Sequence, residues 1–289
     1  MKEQDCLRRF LFERLGVRGE WVRLQTSWQQ AKQYQQLSAG VEEQLGQAIA
    51  SAVLLSATIK FEGAMILQAQ GNGKLNTLIA QATHDRKIRG LARGDTKMEA
   101  GSLTEMMGDG RLVITIEPEQ GEPYQGIVAL QGDKLADVIT SYFTQSEQLD
   151  TKVWLFANGT HAAGLFIQEL PDQESYLADW ERISALANTV TQEEMLSLDC
   201  EQMLFRLFNE EQVSVFEAEA ITFECGCSTG KIENALLALG KDELDSIFLE
   251  REIIDVDCEF CGQQYHFDKV DVDNLLSGQP IEKLSETRH

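Results

Sequence analysis

Cys225-Gly226-Cys227 and, further along, Cys258-Glu259-Phe260-Cys261 hold four of the chain's six cysteines. Two close pairs joined by a long loop can close around one metal ion or oxidise into two short-range disulfides. Tetrahedral zinc takes four soft donors at about 2.3 Å, and two such pairs supply them without a preformed core. The spacing therefore points to one Zn2+ per chain, with Cys225, Cys227, Cys258 and Cys261 as its ligands. A Cys-x-Cys pair is awkward as a protein disulfide yet compatible with ligation, so the reduced form is expected to be the metal-bound one. Between the pairs, Ile232, Leu236, Leu237 and Leu239 read as a helix stopped at Gly240, with further helix over 243–249. So few apolar residues make a poor core, and the metal should supply much of the folding free energy, on the order of 10 kcal/mol or more.

Upstream of this module the pattern is helical from Asp172 to about Phe216. Leu177, Trp180, Ile183, Leu186 and Val190 form one apolar stripe, and Leu196, Cys200, Leu204 and Leu207 form another. Thr191 followed by Glu194 is a capping-box start for the second helix. Between Glu193 and Glu224 nine acids face a single cation, Arg206. Like charges at this density oppose compaction, so the segment should depend on docking its stripes, through Trp180, Ile183, Leu196 and Leu204, against a neighbour. It is the element expected to move.

The residues before Pro171 read as a mixed α/β domain with mainly antiparallel sheet. A short helical start precedes a strand at Val17–Leu24, and 38–59 reads as a long, mostly buried helix. Strands are expected over 61–70 and 74–82 around Gly71-Asn72-Gly73, then over 111–117, 127–130 and 152–156, with a helix over 133–141. Gly63, Gly71, Gly73, Gly90 and Gly126 read as turns, bulges or close-packing positions. The fold class is α+β, with a helical linker and a small four-cysteine module after the N-terminal domain.

The 289 residues carry 25 Lys and Arg against 47 Asp and Glu, a formal charge of −22. Such a field repels nucleic-acid phosphates and anionic membrane surfaces. Met1-Lys2-Glu3-Gln4-Asp5-Cys6 lacks the apolar stretch of a secretory signal, and no apolar run is long enough to span a membrane. A cytoplasmic protein is expected, in a compartment whose reducing poise keeps the four thiols available.

The surroundings of the pairs, Cys225-Gly-Cys227-Ser228 and Cys258-Glu-Phe-Cys261-Gly262 followed by Tyr265 and Phe267, resemble the zinc-binding end of the bacterial redox-regulated 33 kDa heat-shock chaperone family. The likeness extends along the chain through Lys60-Phe61-Glu62-Gly63, Gln68-Ala-Gln-Gly71-Asn-Gly73, Ile88-Arg89-Gly90 and Pro123-Tyr124-Gln125-Gly126. It continues at Tyr142-Phe143-Thr-Gln-Ser146-Glu147-Gln148 and at Gly164-Leu-Phe-Ile-Gln168-Glu-Leu-Pro171.

The resemblance implies an ATP-independent holdase rather than an enzyme, inactive with zinc bound and activated by oxidation together with partial unfolding. It implies that Cys258 and Cys261 release the metal and oxidise first, with Cys225–Cys227 as the second disulfide. Its partners would be unfolded or partly folded proteins, and its activated form a homodimer. On this likeness residues 1–171 form the N-terminal client-binding domain, 172–222 a metastable linker and 223–289 the zinc-binding redox switch. Gly226 departs from the family, where an arginine is frequent; loss of that charge would raise the thiol pKa values or slow oxidation.

Other residues have ordinary readings. Cys200 lies on the linker stripe as a buried helix residue, and Cys6 is an incidental thiol near a mobile terminus. His266 could in principle replace a cysteine ligand, but four thiols are already in place. His84-Asp85 and His161 have no neighbours that would build a triad. Tyr124, Tyr142 and Phe143 belong either to the core or to an exposed client or dimer surface. No phosphate-loop glycine pattern ends in lysine-serine, so no nucleotide is expected.

Two rival functions remain. A zinc-ribbon nucleic-acid-binding module needs a basic face, yet 223–267 contains only Lys231, Lys241 and Arg251. A thiol-disulfide oxidoreductase using Cys258 and Cys261 would place its reactive cysteine at a helix N-terminus, whereas Cys261 runs into Gly262 and a strand-like segment.

Overall fold

The helix over Ala39–Thr58 is buried along nearly its whole length, and two mainly antiparallel sheets are laid against it. The computed structural model describes residues 4–170 and 177–277. Pro171, and with it the expected boundary at 171/172, lies outside the described residues.

The first unit contains β1 (Cys6–Phe12), β2 (Val17–Leu24), α1 (Thr26–Lys32), α2 (Ala39–Thr58), β3 (Gly63–Gly71), β4 (Leu75–Thr83) and β5 (Lys87–Gly94). Next come α3 (Leu103–Met107), β6 (Gly110–Pro118), β7 (Tyr124–Ala129), α4 (Leu135–Tyr142) with a π-helical turn at Phe143–Glu147, β8 (Thr151–Ala157) and β9 (Ala162–Glu169). Three helices follow, α5 (Leu177–Ala187), α6 (Gln192–Ser197) and α7 (Cys200–Phe208), and then three short strands, β10 (Val213–Val215), β11 (Glu219–Ala220) and β12 (Thr222–Phe223). The second unit holds α8 (Thr229–Leu239), α9 (Lys241–Glu250), β13 (Ile253–Asp257), β14 (Gln264–Asp268) and α10 (Lys269–Leu276). The division between the two compact units falls at Glu224/Cys225.

One sheet runs β10-β1-β2-β9-β8 with β11 also on β1, and the other runs β12-β5-β4-β3-β6-β7. Helix α2 packs on β2, β8 and β9 of the first and on β3, β4 and β5 of the second. Small residues make that possible: a Cβ added at Gly46 would lie 2.6 Å from Ala157, and one at Gly90 would lie 2.8 Å from Ile49. Ser38 starts the helix by accepting a hydrogen bond from the Val41 N–H.

The first sheet is buried on both faces. In β2, Val22 and Leu24 join the core around α2, while Val17 and Trp21 join a second core with Trp180, Ile183, Met195, Leu196, Cys200 and Leu204 of α5 to α7. Strand β9 alternates in the same way, Phe166 inward and Ala163, Leu165 and Ile167 outward. Residues of the segment expected to be a linker thus form the outer layer of the first unit.

Three expectations need correction. The chain start is not helical: Cys6–Phe12 is a strand, with Leu7 in one core and Phe10 and Phe12 in the other. Cys6 is therefore a buried strand residue, not one on a mobile terminus. The helical pattern ends at Phe208, and Val213–Val215 pairs with β1 instead of continuing the helix to Phe216.

The acids of 193–224 are also less isolated than their sequence suggests. Arg206 pairs with Glu194 at 2.6 Å, Arg86 with Glu219 at 2.8 Å, Lys87 with Glu224 at 2.9 Å and Arg8 with Glu201 at 3.3 Å. Arg182 pairs with Glu211. Cations of β1 and of the β4–β5 turn thereby offset part of the repulsion, a compensation that no local window of sequence contains.

Candidate metal centre

The second unit places its four cysteines on two backbone devices. Cys225 and Cys227 lead into α8, whose N-cap Ser228 accepts from the Lys231 N–H at 3.3 Å. Cys258 and Cys261 form the tip of the β13–β14 hairpin, in register from Ile253↔Asp268 to Asp257↔Gln264. At this tip the Cys258 carbonyl accepts from the Gly262 N–H at 2.7 Å, and Cys258 N–H donates to the Gln263 carbonyl at 2.9 Å. Gly262 closes the turn at φ 68, a conformation that suits glycine.

These devices bring the four sulfurs within 4.8 Å of one another. Cys225 and Cys258 Sγ approach to 3.6 Å, and Cys227 and Cys261 Sγ to 3.4 Å. A tetrahedron with metal–sulfur bonds of about 2.3 Å has sulfur–sulfur edges of about 3.8 Å. Donor type, number and spacing therefore fit a four-thiolate metal site. All four cysteines are partly buried.

Burial pushes the thiols of Cys225 and Cys261 up from their ordinary value, against hydrogen bonds from the backbone of Cys227 and Gln263. At Cys227 burial acts the same way but is outweighed by hydrogen bonds from the Tyr265 hydroxyl and the neighbouring sulfurs, and that thiol lies low. The bond to Cys227 in turn pushes the Tyr265 hydroxyl up to about 12. The Tyr265 hydroxyl is thus a contact of the cluster.

Lys231, in the first turn of α8, bears on Gly226. Its Nζ donates to the Gly226 carbonyl at 2.6 Å and would stand 3.4 Å from a Cβ added there. A cation therefore lies beside the Cys-x-Cys pair even though residue 226 is glycine.

His266 stands apart from the sulfurs, its Nδ1 2.6 Å from Asp255 Oδ1 across the hairpin. Cys200 is fully buried in the second core with Trp180, Ile183, Leu196 and Leu204. Tyr142 and Phe143 are buried, whereas Tyr124 is exposed. His84 accepts from the Gly63 N–H at 2.9 Å, a turn role.

Among the described residues the core of the second unit has five buried side chains, Leu236, Leu244, Ile254, Phe267 and Val272, with half-buried residues such as Ile232, Ile247 and Phe248 packed against them. At about 1.5–3 kcal/mol each, they are too few to order a unit of this length. A metal held by the four sulfurs would add to the stability that so small a core supplies.

Residues 5–268 match the family model described as Hsp33 protein. The chain is 53% identical to the 33 kDa chaperonin of Nitrosococcus oceani over 289 residues, covering 100% of both. It is 41% identical to the 33 kDa chaperonin of Methylobacillus flagellatus over 294 residues, again with 100% of both covered. The crystal structure of the 33 kDa chaperonin of Thermotoga maritima superposes with a TM-score of 0.82 at 23% identity, covering 95% of this chain and 98% of that one. The chain belongs to the Hsp33 family, whose curated members here carry a chaperone's name. Among the described residues no helix is long and apolar enough to cross a membrane.

Proposed function

We propose that this protein is a redox-regulated, ATP-independent holdase of a reducing cytoplasm, non-enzymatic, whose switch is the four-cysteine cluster. The carrying observation is the contrast between a sulfur tetrad of metal-binding dimensions and the five-residue core beside it. Bound zinc would hold the four sulfurs as thiolates and tie α8 to the β13–β14 hairpin. A peroxide takes two electrons from the Cys258 and Cys261 thiolates and, with two protons from solvent, leaves one disulfide and two waters, and Cys225 with Cys227 follows by the same stoichiometry. Each disulfide removes two donors, and with them the stability of the second unit.

Chain continuity carries the effect onward. Glu224 is adjacent to Cys225, and its N–H donates to the Ile88 carbonyl at 3.1 Å. Once residue 225 is no longer held, 213–224 frays from its C-terminal end, and α5 to α7 lose that clamp. The apolar face of the first sheet then becomes available to unfolded proteins, while the −22 charge keeps the complexes dispersed. Dimerisation of the activated form belongs to the same reading.

The test measures zinc release and suppression of aggregation of a thermally unfolded protein, before and after peroxide at mild heat. Release accompanied by new activity that a thiol reductant reverses is expected. Release without activity would leave the cluster as a purely structural site.

A further inference from the structure

Residues 212–224 are strapped along the open edges of both sheets. β10 pairs with β1 at Phe10↔Val215, Leu11↔Ser214 and Phe12↔Val213; β11 pairs with it at Cys6↔Ala220 and Leu7↔Glu219. β12 then crosses to β5, at Thr222↔Lys87 and Phe223↔Ile88. The hydrogen bonds run from Glu13 N to Gln212 O and from Phe216 N to Arg9 O, both 2.9 Å, and from Ile221 N to Asp5 O at 2.8 Å. Odd-numbered residues of β1 therefore direct their backbone groups at the strap and even-numbered ones direct theirs at β2.

Three features mark the strap as an occupant that can be exchanged. Its ladders are two or three residues long and interrupted at 217 and 218, where the register against β1 shifts by one, so the strap does not follow β1 continuously. Its side chains supply a simple pattern: Val213 and Val215 pack on the second core, and Glu219 meets Arg9 at 3.2 Å and Arg86 at 2.8 Å. Phe216 and Glu219 also overhang a cleft of about 1210 Å³ lined by Phe10, Arg18, Ile59 and Phe61. A sheet edge with pockets for alternate side chains is the setting for strand addition, in which main-chain bonds give affinity without demanding one sequence.

We propose that the strap is a stand-in for client, and that the β1 edge it leaves binds an extended segment of an unfolded protein by strand addition. The preferred segment has apolar residues at alternate positions and a carboxylate that takes over Arg9 and Arg86 from Glu219. A continuous client strand can pair along all of Cys6–Phe12, which the interrupted strap does not. This rests on the proposed redox release for how the edge is vacated, but not for what the edge then binds.

The test is amide exchange at Leu7, Leu11 and Glu13 in the full chain, with reduced, carboxymethylated ribonuclease A as client. Expected are protection in the reduced protein, loss of protection after peroxide, and renewed protection when client is added. Ser214→Pro removes a donor from the strap and frees the edge without oxidant, so renewed protection by client is expected there even if peroxide has no effect. Should peroxide fail while Ser214→Pro behaves as stated, the redox reading falls and the docking surface stands. Leu11→Pro deletes the donor facing the strap but none facing β2; it should abolish client capture by the oxidised protein, whereas an edge that merely seats the strap would give raised capture. Client bound with these amides still exchanging would overturn the proposal. So would protection that returns with protein concentration alone, which would make a second copy of the chain the occupant.

Discussion

The two units are stabilised by opposite means. In the first, a helix buried along nearly its whole length sits between two sheets, and a second core closes the outer face of one of them. In the second, three helices and a hairpin share five buried side chains among the described residues, and the unit gathers its four sulfurs in one cluster. The first unit's stability is spread over many contacts, and its two cysteines, Cys6 and Cys200, are buried within them. On the proposed reading the second's is concentrated in a four-thiolate metal site, whose donors an oxidant removes. That difference is what a switch requires: one part that fails in a single chemical event, joined to another that survives it.

The contrast would break most visibly at the sulfurs. Cys261→Ser should lose most bound zinc and unfold the hairpin and its helices, a loss on the order of 10 kcal/mol. Metal content per chain and the amide signals of 253–268 check it; an intact hairpin at low zinc would show that the second unit folds on its apolar core. Thermal unfolding of the α2 core should be little changed by the same substitution.

Trp180→Ala probes the boundary between the two regimes. Removing a side chain that is only 7% exposed should cost about 3–5 kcal/mol in the second core. Reduced-state suppression of aggregation should then rise, with zinc content unaltered. Equal basal activity in variant and parent would remove Trp180 from the docking account.

A smaller effect is expected inside the first unit. Burial pushes Glu20, on β2, from 4.5 up to about 7, against the opposing influence of Arg18, Arg9 and Arg86. Its Oε2 has no hydrogen-bond partner among the described residues. Because the folded value is raised, this group's contribution is full below pH 4.5 and is lost as pH rises to about 7. Glu20→Gln should lack that slope, so that across this window variant and parent diverge by at most about 3 kcal/mol in denaturant unfolding. Parallel pH profiles would place the Glu20 carboxyl in water.

Much of this was legible in the residues. The mixed three- and four-residue spacing over 38–59 marked α2, the Gly71-Asn72-Gly73 turn marked the β3–β4 pairing, and Gly240 separated α8 from α9. The four ligand candidates follow from their spacing alone. The misses share a cause: alternation vanishes when both faces of a strand are covered. In β1, Leu7, Phe10 and Leu11 fall at helical spacing because Leu7 serves one core and Phe10 the other. Strand β9 is a continuous apolar run for the same reason. The strap escaped because ladders of two or three residues carry no period, and its acids find their cations far away in sequence.

The central claim is that loss of the sulfur cluster unfolds the second unit and undocks 212–224 while the α2 core stays folded. Region-resolved amide exchange of the reduced, zinc-loaded protein and of its peroxide-treated form tests it most directly. The account predicts lost protection over 225–277 and 212–224, a graded loss over 177–208 and unchanged protection over 39–58. A strap and outer helices that remain protected after the zinc has gone would contradict it.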